Sequence, residues 1–336
     1  MVGNIQEYLR SIKVGAKQSH KNVTLYCLPA AEEADVDFVT LDEALEKEFL
    51  FVTEVDESGS VPELRVTNRS NRKVLMLDGE ELVGAKQNRV LNVTVLIAAE
   101  SETVIPVSCV EQGRWSYRSR EFGTASRTMS PDLRRKKSRS VTHNLRASGS
   151  FASAQGMVWD EIDAKFERMA ASPSPTHAMS DLYEELRERS DGYLKAFNCV
   201  DNQVGTVVFI DGEVVGIELL GKFETFKKNH PKLVRSYVMD ALETAASDRK
   251  PKTKPSKSRV SNILEATGQS TVEARKSVAL GNDVRVESEV VVGSGLEYEG
   301  QVLQLTIFPN HQPDEPGGTG RAIRRASERR RSKRRS

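Results

Sequence analysis

Residues 72–115 read RKVLMLDGEELVGAKQNRVLNVTVLIAAESETVIPVSCVEQGRW. An apolar run at 74–77 ends at Asp78-Gly79, a dipeptide that turns tightly because glycine accepts positive φ, so the pattern predicts a hairpin. Glu80, Glu81, Lys86, Gln87, Asn88 and Arg89 crowd the exit from that turn. A second apolar run, 90–99, carries the chain away as a strand, and a third, 104–110, delivers Glu111, Arg114 and Trp115. Two polar clusters at strand ends are how a sheet presents a site.

Working outward, residues 4–12 suit a short helix and 23–28 a strand. Leu41, Leu45 and Phe49 recur at helical spacing, with Asp42 and Glu43 near the favourable end of the helix dipole. Residues 51–55 and 64–67 alternate as strands. Val14-Gly15-Ala16-Lys17-Gln18 recurs letter for letter at 83–87, and Asn22-Val23-Thr24 recurs at 92–94. That repetition predicts a duplicated supersecondary unit, chance identity being the alternative. Residues 158–169 and 182–197 carry helical stripes, with Ser180 as an N-cap type. The pattern of apolar run, Asp-Gly-Glu and apolar run is written again at 204–220, predicting a second hairpin. Pro231 suits a helix start, ahead of an apolar stripe from Leu233 to Leu242. A helix near 260–266 and strands at 284–292 and 301–308 complete the ordered part. Without regular strand–helix alternation, the fold class is α+β: a mainly antiparallel sheet built from hairpins, with several flanking helices.

The 336 residues have room to bury a substantial core, and the net charge of +1 conceals clustered basic residues. Residues 117–150 are rich in Arg, Lys, Ser and Thr and include RRKKSR at 134–139. They read as a basic loop or lid joining two lobes, 1–116 and 151–310, of a single domain. Residues 311–336 read as a disordered basic tail, with nine Arg or Lys against one acid from Gly317 onward. Such a tail attracts nucleic acid weakly and without sequence preference. No apolar run reaches the roughly 18 residues of a membrane span and no signal peptide is evident, so a cytoplasmic protein without membrane contact is the expectation. The three cysteines are isolated and the five histidines show no ligand spacing, so neither a disulfide framework nor a dedicated metal site is expected.

Glu80 and Glu111 are the candidate general acid and base. Arg89 and Arg114 offer planar forks for phosphate oxygens. Gln87 and Asn88 suit ribose hydroxyls or an amide, Trp115 suits a nucleobase, and Lys86 adds a cation. Together these residues fit a phosphorylated ribonucleotide undergoing hydrolysis or transfer at ribose or phosphate. A divalent cation such as Mg2+, held by Glu80, Glu111 and ligand phosphate, is the cofactor this arrangement would accept. The competing reading of the same residues is a set of surface ion pairs around a core tryptophan.

DGEELVGAKQNR (78–89), IPVSCVEQGRW (105–115) and 204–243 resemble the domain family named for its association with ADP-ribosylglycohydrolases and rhodanese- or phosphatase-type proteins. The resemblance extends more weakly to SVALGNDVRVES and the strand near Leu303. It implies an NAD- or ADP-ribose-derived ligand for residues 1–310. The C-terminal strand of that family often carries a histidine beside a leucine, where this chain has Gln304-Leu305. If that histidine moves a proton, this member is impaired or works otherwise. Two alternatives to an enzyme stand: a non-catalytic nucleotide-sensing module, and a nucleic-acid-associated protein using the basic loop and tail.

Overall fold

The computed structural model describes residues 2–56, 62–172, 174–245 and 253–310; the basic tail at 311–336 lies outside them. Helix α1 (Val2–Ser11) leads into the hairpin of β1 (Lys17–His20) and β2 (Val23–Pro29). Next, β3 (Phe38–Thr40) runs into α2 (Leu41–Glu46). There the Glu43 amide donates to the Thr40 hydroxyl and the Thr40 amide to the Glu43 carboxylate, a reciprocal cap that fixes the helix start. The strands β4 (Leu50–Glu54), β5 (Glu63–Asn68), β6 (Lys73–Met76), β7 (Glu80–Gly84), β8 (Arg89–Leu91), β9 (Val95–Ile97), β10 (Ser101–Cys109) and β11 (Phe122–Thr128) follow. Helices α3 (Pro131–Ser148), α4 (Gln155–Met169), α5 (Met179–Glu185) and α6 (Arg187–Leu194) precede the hairpin of β12 (Gln203–Ile210) and β13 (Glu213–Leu220). The long α7 (Phe223–Ala245), α8 (Lys257–Gly268) and β14 (Thr271–Lys276), β15 (Asn282–Glu287), β16 (Val291–Tyr298) and β17 (Gln301–Pro309) close the fold.

One antiparallel sheet has the order β1-β2-β12-β13-β17-β16-β15-β14. Its Phe209, Ile217 and Leu305 pack with Leu9 of α1 and Leu264 of α8, and its Val208 and Ile210 pack with Tyr237 and Val238 of α7. Because β2 pairs with β12, residues from before 116 and after 151 share this sheet. A second sheet runs β11-β7-β8-β10-β5-β4. Its edge strands β4 and β11 come together, curling it into an open barrel around Val52, Val66, Leu82, Leu91 and Val107. The small β3-β6-β9 sheet contains one parallel pair, β3 with β6. The architecture is α+β with mostly antiparallel sheet, as the patterning predicts.

Asp211-Gly212 makes the predicted hairpin between β12 and β13, with φ of 50° and 84° at the two turn residues. Asp78-Gly79 does not. There β6 and β7 belong to different sheets, and the turn hands the chain from one to the other. Gly79 has φ of 80°, and a Cβ would lie 2.6 Å from Arg134 Cδ, so both conformation and space require glycine. Residues 90–99, read as one strand, divide into β8 and β9 in different sheets for the same reason: each short run satisfies a different partner. The repeated Val-Gly-Ala-Lys-Gln enters a strand at its first occurrence and leaves one at its second, so the letters recur without a recurring unit. Pro231 lies inside α7, which starts at Phe223, and α5 is capped at Ala178, not Ser180.

The basic loop is corrected most sharply. Residues 131–148 form α3, and three of its cations, Arg134, Arg135 and Lys137, turn inward. Lys137 is fully buried, ion-paired with Asp78 and donating to the carbonyls of Leu91 (2.6 Å) and Asn92 (3.1 Å). Arg134 Nη2 meets Glu218 Oε1 at 2.5 Å, where Tyr237 also donates at 2.8 Å. Thr306 donates to Glu218 (2.7 Å), Gln304 to Thr306 (2.6 Å), Thr94 to Gln304 (3.0 Å) and the Asp78 amide to Thr94 (3.0 Å). Gln304, at the position the resemblance reserves for histidine, is therefore a link in a closed polar chain between the sheets. Helical spacing of buried cations is invisible to a composition argument, which counts charge and not direction.

Lys137→Ala leaves Asp78 buried without its cation and is expected to cost about 3–5 kcal/mol. Arg139→Ala, on the exposed side of the same helix, is expected to cost about 0.5 kcal/mol or less. Urea denaturation of both variants checks this; equal small losses would make 134–139 a solvated segment.

Candidate functional site

Strands β7 and β8 pair through Leu82↔Arg89, and β10 adds Cys109↔Arg89. Side chains alternate across a strand, so Arg89 and Cys109 share the inner face with Leu82, Leu91 and Val107. Glu54, two residues beyond Val52 on β4, points the same way. One mouth of the barrel is therefore polar: Glu54, Gln87, Arg89 and Cys109, with Trp115 over the Arg89 guanidinium at 5.7 Å. Lys86 Nζ lies 5.2 Å from the Trp115 ring and 5.1 Å from that of Tyr117. Trp115 and Tyr117 are 47% and 52% exposed, whereas Arg89 beneath them is 0% exposed.

Most of the sequence-predicted binding groups are already bonded to one another. Arg114 grips Glu111 with Nε (3.0 Å) and Nη2 (2.7 Å), and donates to the carbonyls of Ala85 (2.6 Å) and Ser116 (2.9 Å). Its fork holds the 85–88 turn and leaves little for phosphate. The Asn88 amide donates to Glu111 Oε2 (3.1 Å), and the Asn88 side chain joins Glu81 (3.4 Å) to Arg114 (3.2 Å). Gln87 donates to the Glu111 carbonyl (2.8 Å) and accepts from Arg89 Nη1 (3.0 Å) and the Cys109 thiol (3.0 Å). Burial pushes the Cys109 thiol up from its ordinary value, so it rests protonated and is a poor nucleophile.

Arg89 differs. Its Nε and Nη2 have no hydrogen-bond partner. Desolvation lowers its pKa, partly offset by the nearby Cys109 and Glu54. Glu54 Oε1 accepts from the Lys86 amide (3.3 Å), and its Oε2 is likewise without a partner. The Trp159 indole of α4 stands beside Cys109.

The two predicted catalytic carboxylates do not meet. Glu80 begins β7, at the far end from the turn that holds Glu111, and is ion-paired with Lys232 of α7, which also contacts Asp42 at 3.2 Å. A cation shared by Glu80 and Glu111 is thus not assembled. Glu81 stands across Asn88 from Glu111 instead. It sits on the outer face of the barrel wall, paired in register with Val90, which packs toward α5. Burial raises Glu81 to about 7, relieved in part by Arg127 and Asn88 and reinforced by Glu111 and Asp181. The sequence reading does not name Glu54, and it names Glu81 only among the polar residues that follow the Asp78-Gly79 turn. Glu54 was findable, being an acid at an inward position of an alternating strand; Glu81 required knowing which of two adjacent glutamates faces Glu111.

Arg114 and the Asn88 amide hold Glu111 below the ordinary carboxylate value of 4.5, against the effect of its burial. A carboxylate depressed on folding stabilises the fold above its unfolded value, and that contribution is lost as pH falls through the folded one. Glu111→Gln leaves Arg114 buried without a counter-charge and is expected to cost about 3–5 kcal/mol at pH 7. The gap from wild type should persist at pH 5 and narrow as pH falls below 4.5 toward the lowered folded value; urea denaturation at pH 7, 5 and 3 measures it.

Among the described residues, no group of three His, Cys, Asp or Glu side chains is arranged to hold a metal ion, and no helix is long and apolar enough to cross a membrane. No curated protein and no solved structure matches the chain. The model of the ARG and Rhodanese-Phosphatase-superfamily-associated Protein domain, a family linked by that description to ADP-ribose-related proteins, matches residues 11–308. That span takes in both large sheets, the barrel mouth and the polar chain between them, and the protein belongs to that family.

Proposed function

We propose that the barrel mouth binds a phosphorylated ribonucleotide, of the NAD or ADP-ribose type, through Arg89 beneath Trp115. The observation that carries this reading is a fully buried guanidinium with two unpartnered nitrogens. Buried charge without a partner is costly and uncommon in folded proteins. A phosphate group supplies both the missing charge and the acceptor atoms, and the indole above supplies a face for a base. Entry requires the Trp115 side chain to swing away, which its exposure allows. Family membership points to the same ligand class. The arrangement favours a ligand-binding role over turnover, since Glu111 is committed to Arg114 and Glu81, the carboxyl that titrates near neutrality, lies behind the barrel wall.

The protein's two tryptophans, Trp115 and Trp159, both flank the mouth, so intrinsic fluorescence reports on its occupancy. ADP-ribose is expected to change the emission saturably. Arg89→Leu is expected to weaken binding roughly 10–100-fold, the loss of charge-assisted hydrogen bonds. Unaltered ADP-ribose affinity in Arg89→Leu would remove this assignment.

A further inference from the structure

Arg89 is not alone at the mouth in having unused hydrogen-bonding capacity. Glu54 is only 7% exposed, and one of its oxygens has no partner. It lies near enough to Arg89 to favour the charged guanidinium. Yet the two do not bond: Arg89 spends Nη1 on Gln87 and Cys109, and Glu54 spends Oε1 on the Lys86 amide. A buried carboxylate and a buried guanidinium on the same inner face can close into a bidentate pair, the strongest arrangement open to both, and here no hydrogen bond or ion pair joins them. Glu54 is fixed by the end of β4 and Arg89 by its pairing with Cys109 across β8 and β10.

The free atoms define a chemical complement. Arg89 offers two donor nitrogens and needs acceptors; Glu54 offers an acceptor and needs a donor. A bare phosphate or pyrophosphate satisfies the first and is repelled by the second. A ribose hydroxyl satisfies both, because it accepts from a guanidinium and donates to a carboxylate. Acidic side chains hold ribose hydroxyls in dinucleotide-binding folds by the same bond.

We propose that Glu54 is the residue that selects a sugar-bearing ligand: its free oxygen accepts a hydrogen bond from a ribose hydroxyl, while Arg89 donates to the oxygens of the same ligand. This rests on the Arg89 reading above and adds a discriminating partner to it. Free phosphate and pyrophosphate then bind weakly because Glu54 opposes their charge, and nucleotides bind because their hydroxyls neutralise that opposition.

The test pairs one variant with two probes, followed by tryptophan fluorescence and calorimetry on the full chain. Glu54→Gln keeps a carbonyl oxygen for the Lys86 amide but loses the charge. It is expected to weaken ADP-ribose at least ten-fold and to leave inorganic pyrophosphate binding unchanged or tighter. ADP-ribose affinity that is unchanged, or that falls together with pyrophosphate affinity, overturns the role of Glu54. Wild-type protein that responds to pyrophosphate but not to ADP-ribose also overturns it while sparing Arg89 as an anion site. Wild-type protein that responds to neither removes the Arg89 reading itself. Should Glu54→Gln fail to fold, Glu54→Asp keeps the charge and withdraws it by one methylene. A loss of ADP-ribose affinity with pyrophosphate unaffected is the supporting result there, and equal losses are the opposing one.

Discussion

The two large sheets share no strand, and their relation depends on a buried chain of polar contacts: Lys137 to Asp78, Asp78 through Thr94 to Gln304, and Gln304 through Thr306 to Glu218 and Arg134. Apolar surfaces pack in many relative positions at similar cost, whereas hydrogen bonds are directional. A polar chain that leaves few atoms unsatisfied admits one placement of the sheets. Burying this much charge is no route to stability by itself, since desolvation offsets the attraction. Its effect here is registry: α3 supplies two cations at adjacent turns, the eight-stranded sheet supplies Glu218, and the turn between β6 and β7 supplies Asp78.

The barrel mouth stands in contrast. In the polar chain between the sheets nearly every donor meets an acceptor, one Asp78 oxygen being an exception. At the mouth, Glu111, Arg114, Gln87 and Asn88 also satisfy one another and so form a rigid rim. Inside that rim, Arg89 and Glu54 retain free atoms although both are buried. Arg89 is set apart from the other buried cations by having two such nitrogens on one fully buried guanidinium. The exposed Trp115 and Tyr117 lie above it, in a segment tied back through Arg114 and the Arg118 contact with Glu111 at 3.8 Å.

Reading the chain for charge brings out groups that the tertiary structure sets in quite different surroundings. The polar residues at 86–89 and 111–115 lie together, because β7, β8 and β10 are neighbours in one sheet, whereas Glu80 lies at the other end of β7. Which glutamate faces Glu111 turned on strand phase, and a single residue separates Glu80 from Glu81. Arg114, similar to Arg89 in sequence context, is consumed by the rim. The basic run at 134–139 misled for a related reason: charged residues at i and i+3 are either both solvated or both inward, and only the surface opposite them decides.

The α+β class, the more apolar strands and helices and the hairpin at Asp211-Gly212 are legible in the sequence alone, because alternation, helical spacing and turn chemistry are local properties of the chain; the polar strands β1, β7, β11 and β14 and the basic α3 are not. Tertiary structure decided that Asp78-Gly79 connects two sheets, that α3 faces inward and that Glu54 stands near Arg89 across the barrel mouth. Those outcomes depend on partners dozens of residues away in the chain, Arg134 and Glu218 being 84 apart. No window of sequence contains both halves of such a contact.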